Sequence, residues 1–445
     1  VTKVLAEGMS MKRIITHKLI GWKEKSDRKP LIIRGARQTG KSYSILEFGK
    51  DHFDGNIHIV NFEKQSDWRS IFDKNLDAVR ILSELEILLS RRIVPGRDLL
   101  FFDEIQSCPK AIAAMRYFNE QIPNLHLIAA GSLLEFALGE IPFPVGRVQL
   151  LNMHPMNFHE FLLATGRDFA ADIVISEPVL LSGRVHNVIL DELRKYFFVG
   201  GMPECVKTFA GGNSIAGVME IQTDLLETFR NDFPKYAGHS DTRCLNAVLT
   251  SVSQKVGQQI KFAHLAEGFS HPTIKKAFDL LETARLTKKI RAASPTGLPL
   301  GASATENKFK IVMLDIGLLT RLSGLSISSE YRKARLLSIF KGAMAEQFVG
   351  QELLASGHEE LFYWSRDAKS STAETDFLVE RDNAIIPVEV KSGAAGSLKS
   401  LHLLLKTYQH IDRAFVFSDA NMGSIPEQKL YFYPIYHAAA ALKKG

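Results

Sequence analysis

The chain has 445 residues, 45% of them apolar, which is long enough for about three domains of ~150 residues that each bury a core. Its formal net charge of +6 and pI near 9.0 lean toward an acidic partner, of which nucleic acid is the commonest, although many soluble proteins are this basic. No apolar run reaches the roughly 18 residues of a membrane span, and the N-terminus lacks the order of a signal peptide. Cys108, Cys205 and Cys244 are odd in number and far apart, with no C-x-x-C or histidine partner. These features argue against a membrane protein, a disulfide frame and a zinc site, and a cytoplasmic protein is expected.

The first informative stretch is Leu31-Ile32-Ile33-Arg34 followed by Gly35-Ala36-Arg37-Gln38-Thr39-Gly40-Lys41-Ser42. An apolar run, a glycine-bounded loop and a segment with helical spacing make the strand, loop and helix of a phosphate cradle, and the loop matches G-x-x-x-x-G-K-[ST]. Gly35 and Gly40 let the backbone turn its N–H groups inward, and a helix opening near Lys41 adds its positive dipole end. Lys41 would reach the β- and γ-phosphates and Ser42 would ligate Mg²⁺, so ATP with Mg²⁺ is the expected cofactor pair.

Downstream, Ile57-His58-Ile59-Val60-Asn61-Phe62 alternates and predicts a strand, Asp77 to Ile93 has helical spacing, and Leu99-Leu100-Phe101-Phe102 runs into Asp103-Glu104. Four apolar residues before two carboxylates describe a buried parallel strand with an acidic tip, where ligands of open α/β sheets sit. Asp103 would hold Mg²⁺, directly or through water, and Glu104 would act as general base toward the attacking water. Cys108 to Ile122 reads as a helix and Leu125 to Ala130 as another buried strand, ending at Gly131-Ser132. The Ser132 hydroxyl could sense the γ-phosphate or simply cap the next turn. Arg147, after a Pro/Gly loop, could act on ATP in cis, act as an arginine finger in a neighbouring subunit, or be a solvated surface residue.

The run from Pro30 to Ser42, Phe102-Asp103-Glu104, Ala130-Gly131-Ser132, Gly146-Arg147, and His154-Pro155-Met156-Asn157-Phe158 with Glu160-Phe161 resembles the AAA-type ATPase domain of a large prokaryotic family. The resemblance extends over nearly the whole chain after Met9. It implies that the strand ending at Ser132 lies between those carrying the phosphate loop and the Asp-Glu pair, and that the C-terminal half is a domain of uncharacterised function. AAA-type machines often form rings, so a homo-oligomer is an expectation that Arg147 acting in trans would require.

Tyr196 to Glu204 contains Gly200-Gly201-Met202-Pro203, which resembles a further hallmark of that family; the residues themselves indicate a tight turn between helices or a hinge. From Cys244 three helical segments precede two strands, Thr287 to Ala292 and Lys308 to Met313, joined by a Pro/Gly/Ser-rich loop. Helix-turn-helix plus a β-wing is a winged-helix arrangement. Lys275, Lys276, Lys288, Lys289, Arg291, Lys308 and Lys310 would supply charge to DNA phosphates, although many winged helices contact proteins instead.

In the last third, a helix over Lys341 to Leu354, strands at Glu360 to Trp364, Thr375 to Glu380 and Ile385 to Lys391, a helix from about Ser397 and a strand at Ala414 to Phe417 follow in order. That α-β-β-β-α-β order resembles the core of the PD-(D/E)xK nuclease superfamily. The resemblance places Glu346 on an amphipathic first helix, Asp376 on the second strand and Glu389-Val390-Lys391 on the third. Strand alternation puts Glu389 and Lys391 on one face. Asp376 and Glu389 could converge on Mg²⁺, with Glu346 completing the shell, Glu374 in reserve and Lys391 orienting the attacking water. A solvated Glu/Lys strand face is the alternative, and such a domain could bind nucleic acid without cutting it.

The expected fold class is thus α/β: a P-loop AAA-type parallel-sheet domain over 12–165, a helical connector over 166–240, a winged-helix-like domain over 241–325 and a restriction-endonuclease-like domain over 335–445. The expected activity is Mg²⁺-dependent ATP hydrolysis coupled to a module acting on DNA. Two rivals stand beside it: a nucleotide-dependent switch with an inert nuclease-like domain, and an ATPase that remodels a protein partner.

Overall fold

The computed structural model describes residues 11–132, 134, 136, 144, 146–237, 241–324, 342–368, 371–391 and 398–443. They form two compact units, one built on residues 12–154 and the other on the chain from Pro155 onward. Among the described residues no helix is long and apolar enough to cross a membrane, and the three cysteines are free, buried thiols.

The first unit is a parallel sheet of β1 (Leu31–Arg34), β2 (Ile57–Asn61), β3 (Leu99–Asp103), β4 (His126–Gly131) and β5 (Gln149–Asn152), in the order β2-β3-β4-β1-β5. The Ser132 strand therefore lies between the phosphate-loop strand and the Asp-Glu strand, as the family resemblance implies. Inner strands are covered on both faces, which is why Leu99 to Phe102 are uniformly apolar and all buried. At the sheet edge β2 alternates, with His58 and Val60 buried and Ile59 exposed. The helix expected from Asp77 to Ile93 spans Ala78–Leu89: the Asp77 side chain caps Arg80 N–H, and Ser90 in the left-handed region ends it.

The second unit opens with Asn157 and Glu160 in a capping box at the head of the helix Phe158–Ala164. Its neighbours belong to this unit, so the division falls at His154, earlier than the boundary at 165 read from the sequence. The Tyr196 hydroxyl donates to the Met156 carbonyl (2.6 Å), Met156 N–H to the Gly201 carbonyl (2.7 Å), and Phe158 N–H to Glu352 Oε1 (2.9 Å). The Gly-Gly-x-Pro turn joins the helices Gly183–Val199 and Pro203–Ala210, with Pro203 in the first turn of the latter. Gly200 has φ +72°, and the Gly201 N–H donates to Asp315 Oδ2 (2.6 Å). Burial pushes Asp315 up to about 6 against the pull of the Gly201, Leu318 and Gly317 amides, and burial likewise pushes Glu352 up to about 8.

Eight strands make the second sheet: β6 (Thr287–Ala292), β7 (Thr305–Met313), β8 (Phe362–Ala368), β9 (Ser371–Arg381), β10 (Ala384–Val390), β11 (Ala414–Ser418), β12 (Gly423–Ile425) and β13 (Leu430–Pro434). Their order is β12-β13-β11-β10-β9-β8-β6-β7. The β6–β7 hairpin read as a wing thus extends the C-terminal sheet, because β6 pairs parallel with β8 through Arg291 and Ala292. The helix Ala343–Ala355 precedes β8, and the helix Lys399–Thr407 links β10 to its parallel neighbour β11, reproducing the α-β-β-β-α-β order. The first of these helices is not amphipathic as expected. Every residue from Met344 to Leu353 is buried, so its polar positions face protein as well as its apolar ones.

Candidate functional site

In the first unit the segments leaving the C-terminal tips of β1, β3 and β4 meet around a pocket of about 180 Å³, lined by Gln38, Gly40, Lys41, Ser42, Asp103, Glu104 and Ser132 among others. A parallel sheet gathers its ligand groups there because every strand points the same way. Gly35 has no room for a side chain: a Cβ would collide with the Met153 carbonyl oxygen. Gly40 has φ +90° and caps the helix Lys41–His52, while Gln38 adopts the left-handed region at φ +61°. Ala36 and Thr39 close the loop through a hydrogen bond from Thr39 Oγ1 to the Ala36 carbonyl (3.0 Å).

Lys41 is 6% exposed and donates to the carbonyls of Gly35 (2.9 Å) and Ala36 (2.8 Å). Ser42 Oγ donates to Asp103 Oδ1 (2.8 Å), and Asn61 Nδ2 from the tip of β2 donates to Asp103 Oδ2 (3.0 Å). Glu104 sits at φ +51° with its Oε2 accepting from Gln106 Nε2 (2.6 Å), and it lines the same pocket as Asp103. Gln106 in turn fills the space that a side chain at Gly131 would need. The hydroxyl of Ser42 and the carboxylate of Asp103 are oxygen donors of the kind Mg²⁺ takes together with phosphate oxygens and water, so this donor set fits the metal.

Two groups at this site carry no signal in the sequence. Arg13, nearly buried, donates to the Thr39 carbonyl (2.9 Å) and the His154 carbonyl (2.8 Å), bracing the phosphate loop from a segment 26 positions upstream. Asn61 reads only as the end of an edge strand. Arg147, in contrast, does not line the pocket. It precedes β5 and so lies at the N-terminal edge of the sheet, opposite the phosphate loop, where it pairs with Glu120 (3.1 Å). The expectation that it acts on ATP in cis is corrected by this placement. Arg37 lies in the phosphate loop itself but is not among the pocket residues.

In the second unit the carboxylates singled out by the sequence do come together, around a lysine. Lys310 of β7 is 1% exposed, and its Nζ lies 2.5 Å from Glu346 Oε1, 2.6 Å from Glu374 Oε1 and 3.1 Å from Asp376 Oδ1. Asp376 Oδ2 accepts from Val390 N–H (2.8 Å), Glu374 Oε2 from Gln259 Nε2 (2.5 Å), and Glu389 Oε1 from Lys391 Nζ (2.6 Å). Burial would lower the Lys310 pKa, but Glu346, Asp376 and Glu374 override it and hold the ammonium well above its ordinary range. Burial and neighbouring carboxylate charge push Glu346 and Glu389 up to about 8, against the pull of Lys310 and Lys391.

Lys310 was expected to face DNA, and this is corrected: its strand alternation is the same in a solvated wing and in a sheet packed under a helix, so the sequence does not distinguish them. Lys289 is also engaged within the protein, its ammonium 5.2 Å from the Phe262 ring centre and 3.1 Å from Glu306. Arg291 pairs with Glu306 and Glu360. Lys275 and Lys276, on the helix His271–Thr283, are exposed.

The parallel sheet, the phosphate loop and the paired acidic tip define the first unit as a P-loop ATPase domain of AAA type. Residues 27–162 match the family described as AAA domain; residues 190–329 match a domain of unknown function (DUF8612), and residues 341–436 match another (DUF4143). An uncharacterized protein of Methanocaldococcus jannaschii is 30% identical over 132 residues, which are 29% of this chain and 27% of that protein, so the match spans about a quarter of the relative's length. Among solved structures, the Walker-type ATPase of Pyrococcus abyssi is similar at 14% identity over 71% of this chain and 96% of that one, with a TM-score of 0.46. The ORC1 protein of Aeropyrum pernix, solved in complex with DNA, is similar at 12% identity over 70% of this chain and 90% of that one, with a TM-score of 0.29.

Proposed function

We propose that this protein binds and hydrolyses ATP with Mg²⁺ at the phosphate loop, and the observation that carries this is the Ser42–Asp103 hydrogen bond inside a pocket that also holds Lys41 and Glu104. Ser42 and Asp103 would hold the metal, which when bound neutralises charge on the β- and γ-phosphates. Lys41 exchanges the neutral Gly35 and Ala36 carbonyls for phosphate oxygens, whose negative charge its ammonium then pairs. Backbone N–H groups of the loop and the first turn of the helix Lys41–His52 cradle the phosphates. Glu104 accepts the proton of the attacking water, Gln106 holds that carboxylate in place, and Ser132 contacts the γ-phosphate. The test is a Mg²⁺ titration of phosphate release by Ser42→Ala: half-maximal activity should need about 10–100-fold more metal, and an unchanged titration would remove Ser42 from the metal site.

The same reading assigns DNA to the chain from about 241. Three helices, a short antiparallel bridge between Ile260 and Phe309, and the β6–β7 hairpin follow one another in winged-helix order, with Lys275 and Lys276 exposed on the third helix. Those lysines reach phosphates, while the carboxylate centre of residues 335–445, occupied by Lys310, supports a domain that binds and does not cut. Fluorescence anisotropy on duplex DNA should show affinity falling steeply with salt. In Lys275→Ala/Lys276→Ala the slope of log affinity against log salt should be shallower by about 2. Absence of duplex binding at low salt would sink the DNA assignment and favour a protein partner.

A further inference from the structure

We infer that the C-terminal carboxylate centre is not a metal site: the ammonium of Lys310 is its resident cation, and it keeps divalent metals out. The PD-(D/E)xK resemblance implies Mg²⁺ between Glu346, Asp376 and Glu389, and the residues present do not fit that ion. Glu346, Glu374 and Asp376 converge from the helix Ala343–Ala355 and from β9 on one point, and Lys310 Nζ stands on it. Mg²⁺ needs its oxygens at about 2.1 Å in a near-octahedral shell, so an ammonium hydrogen-bonded to the same three carboxylates leaves it no volume. Among the described residues no set of three or more His, Cys, Asp or Glu side chains is arranged to hold a metal ion.

The lysine is fixed from both ends. Its backbone pairs with Ile290 across the β6–β7 hairpin, and the preceding Phe309 packs against Phe262 and Phe278. Its ammonium lies 5.8 Å from the ring centre of the buried Tyr363. Withdrawing it would leave the buried Glu346 and the partly buried Glu374 and Asp376 crowded together without a cation, which is costly. One acceptor remains over: Glu389 is 6% exposed, and its Oε2 has no hydrogen-bond partner among the described residues. Removing Lys310 therefore uncovers a set of oxygens with unmet demand for a cation.

The inference rests on the nuclease-like reading of this sheet only for the ion it excludes, and its test needs neither ATP nor DNA. Mn²⁺ binding to the full chain is followed by loss of the free-ion electron paramagnetic resonance signal. Every protein carries Asp103→Asn, which removes the carboxylate that would hold the metal at the phosphate loop. The Asp103→Asn protein should bind no Mn²⁺ that depends on Asp376. Adding Lys310→Met should create one site at least about tenfold tighter than any in the parent, and adding Asp376→Asn to that protein should abolish it. A folded Lys310→Met protein, checked by circular dichroism, that gains no site would overturn the inference. If Lys310→Met does not fold, the comparison of Asp103→Asn with Asp103→Asn/Asp376→Asn decides. Saturable Mn²⁺ binding lost with Asp376 would show a working metal site beside Lys310, and equal binding by the two would uphold its exclusion.

Discussion

Glu104→Gln is expected to lower ATP turnover by about 10³-fold while leaving ATP affinity nearly unchanged. The carboxylate stands at the tip of β3 in the left-handed region and is oriented by Gln106 at 2.6 Å. Glutamine has the same shape, so the loop and the adjacent Ser42–Asp103 pair keep their geometry. What it loses is basicity: a primary amide does not take a proton from water near neutral pH. Single-turnover phosphate release would report the chemical step, and titration with a fluorescent ATP analogue would report binding. Full-rate hydrolysis by the variant would remove Glu104 from the base role, whereas loss of binding would indicate that it shapes the pocket and does no proton transfer.

The second large effect is on folding. Gly201→Ala should destabilise the second unit by about 3 kcal/mol or more, because a Cβ there would run into the Met156 carbonyl. Relief by backbone movement is blocked on both sides. Gly201 N–H is held by the Asp315 carboxylate and its carbonyl accepts from Met156, while Met156 also accepts from Tyr196, whose hydroxyl accepts from Gln351 (2.7 Å). Shifting the turn would leave buried polar groups unpaired, each costing about 1–3 kcal/mol. Gly217→Ala is the control: it lies within the helix Ile215–Ala237, and its Cβ would meet only ordinary contacts. That change should be neutral or stabilising by up to about 1 kcal/mol. Denaturant melts of the two variants would check the contrast, and equal stability would contradict the packing argument.

These two positions differ in how far the sequence exposes them. Glu104 stands in a local pattern, an apolar strand running into two carboxylates after a complete phosphate loop, and its neighbours in sequence are its neighbours in space. Gly201 is legible only as a helix breaker, because the groups that forbid a side chain come from Met156 and Asp315, far along the chain. Arg13 and Asn61 are harder still: each is a single polar residue whose role depends on carbonyl or carboxylate oxygens delivered from elsewhere in the chain. The placement of β4 between β1 and β3 was implied by the family resemblance and not by any periodicity in the residues, and the places of β2 and β5 were implied by neither.

Whatever depends on covalent spacing was legible in the residues: the glycine-bounded loop with Lys41 and Ser42, the acidic tip at Asp103 and Glu104, the alternation that sets Glu389 and Lys391 on one strand face, and the α-β-β-β-α-β order. What each charge meets was set by how the sheet and its helices pack. Lys308, Lys310 and Val312 alternate along β7 in a way that suits solvent as well as a buried cluster, and the choice was made when β6 joined β8 and the helix Ala343–Ala355 brought Glu346 within 2.5 Å of Lys310. Electrostatic partners act through space at a few ångströms, and residues that far apart in the chain acquire such separations only when the sheet closes.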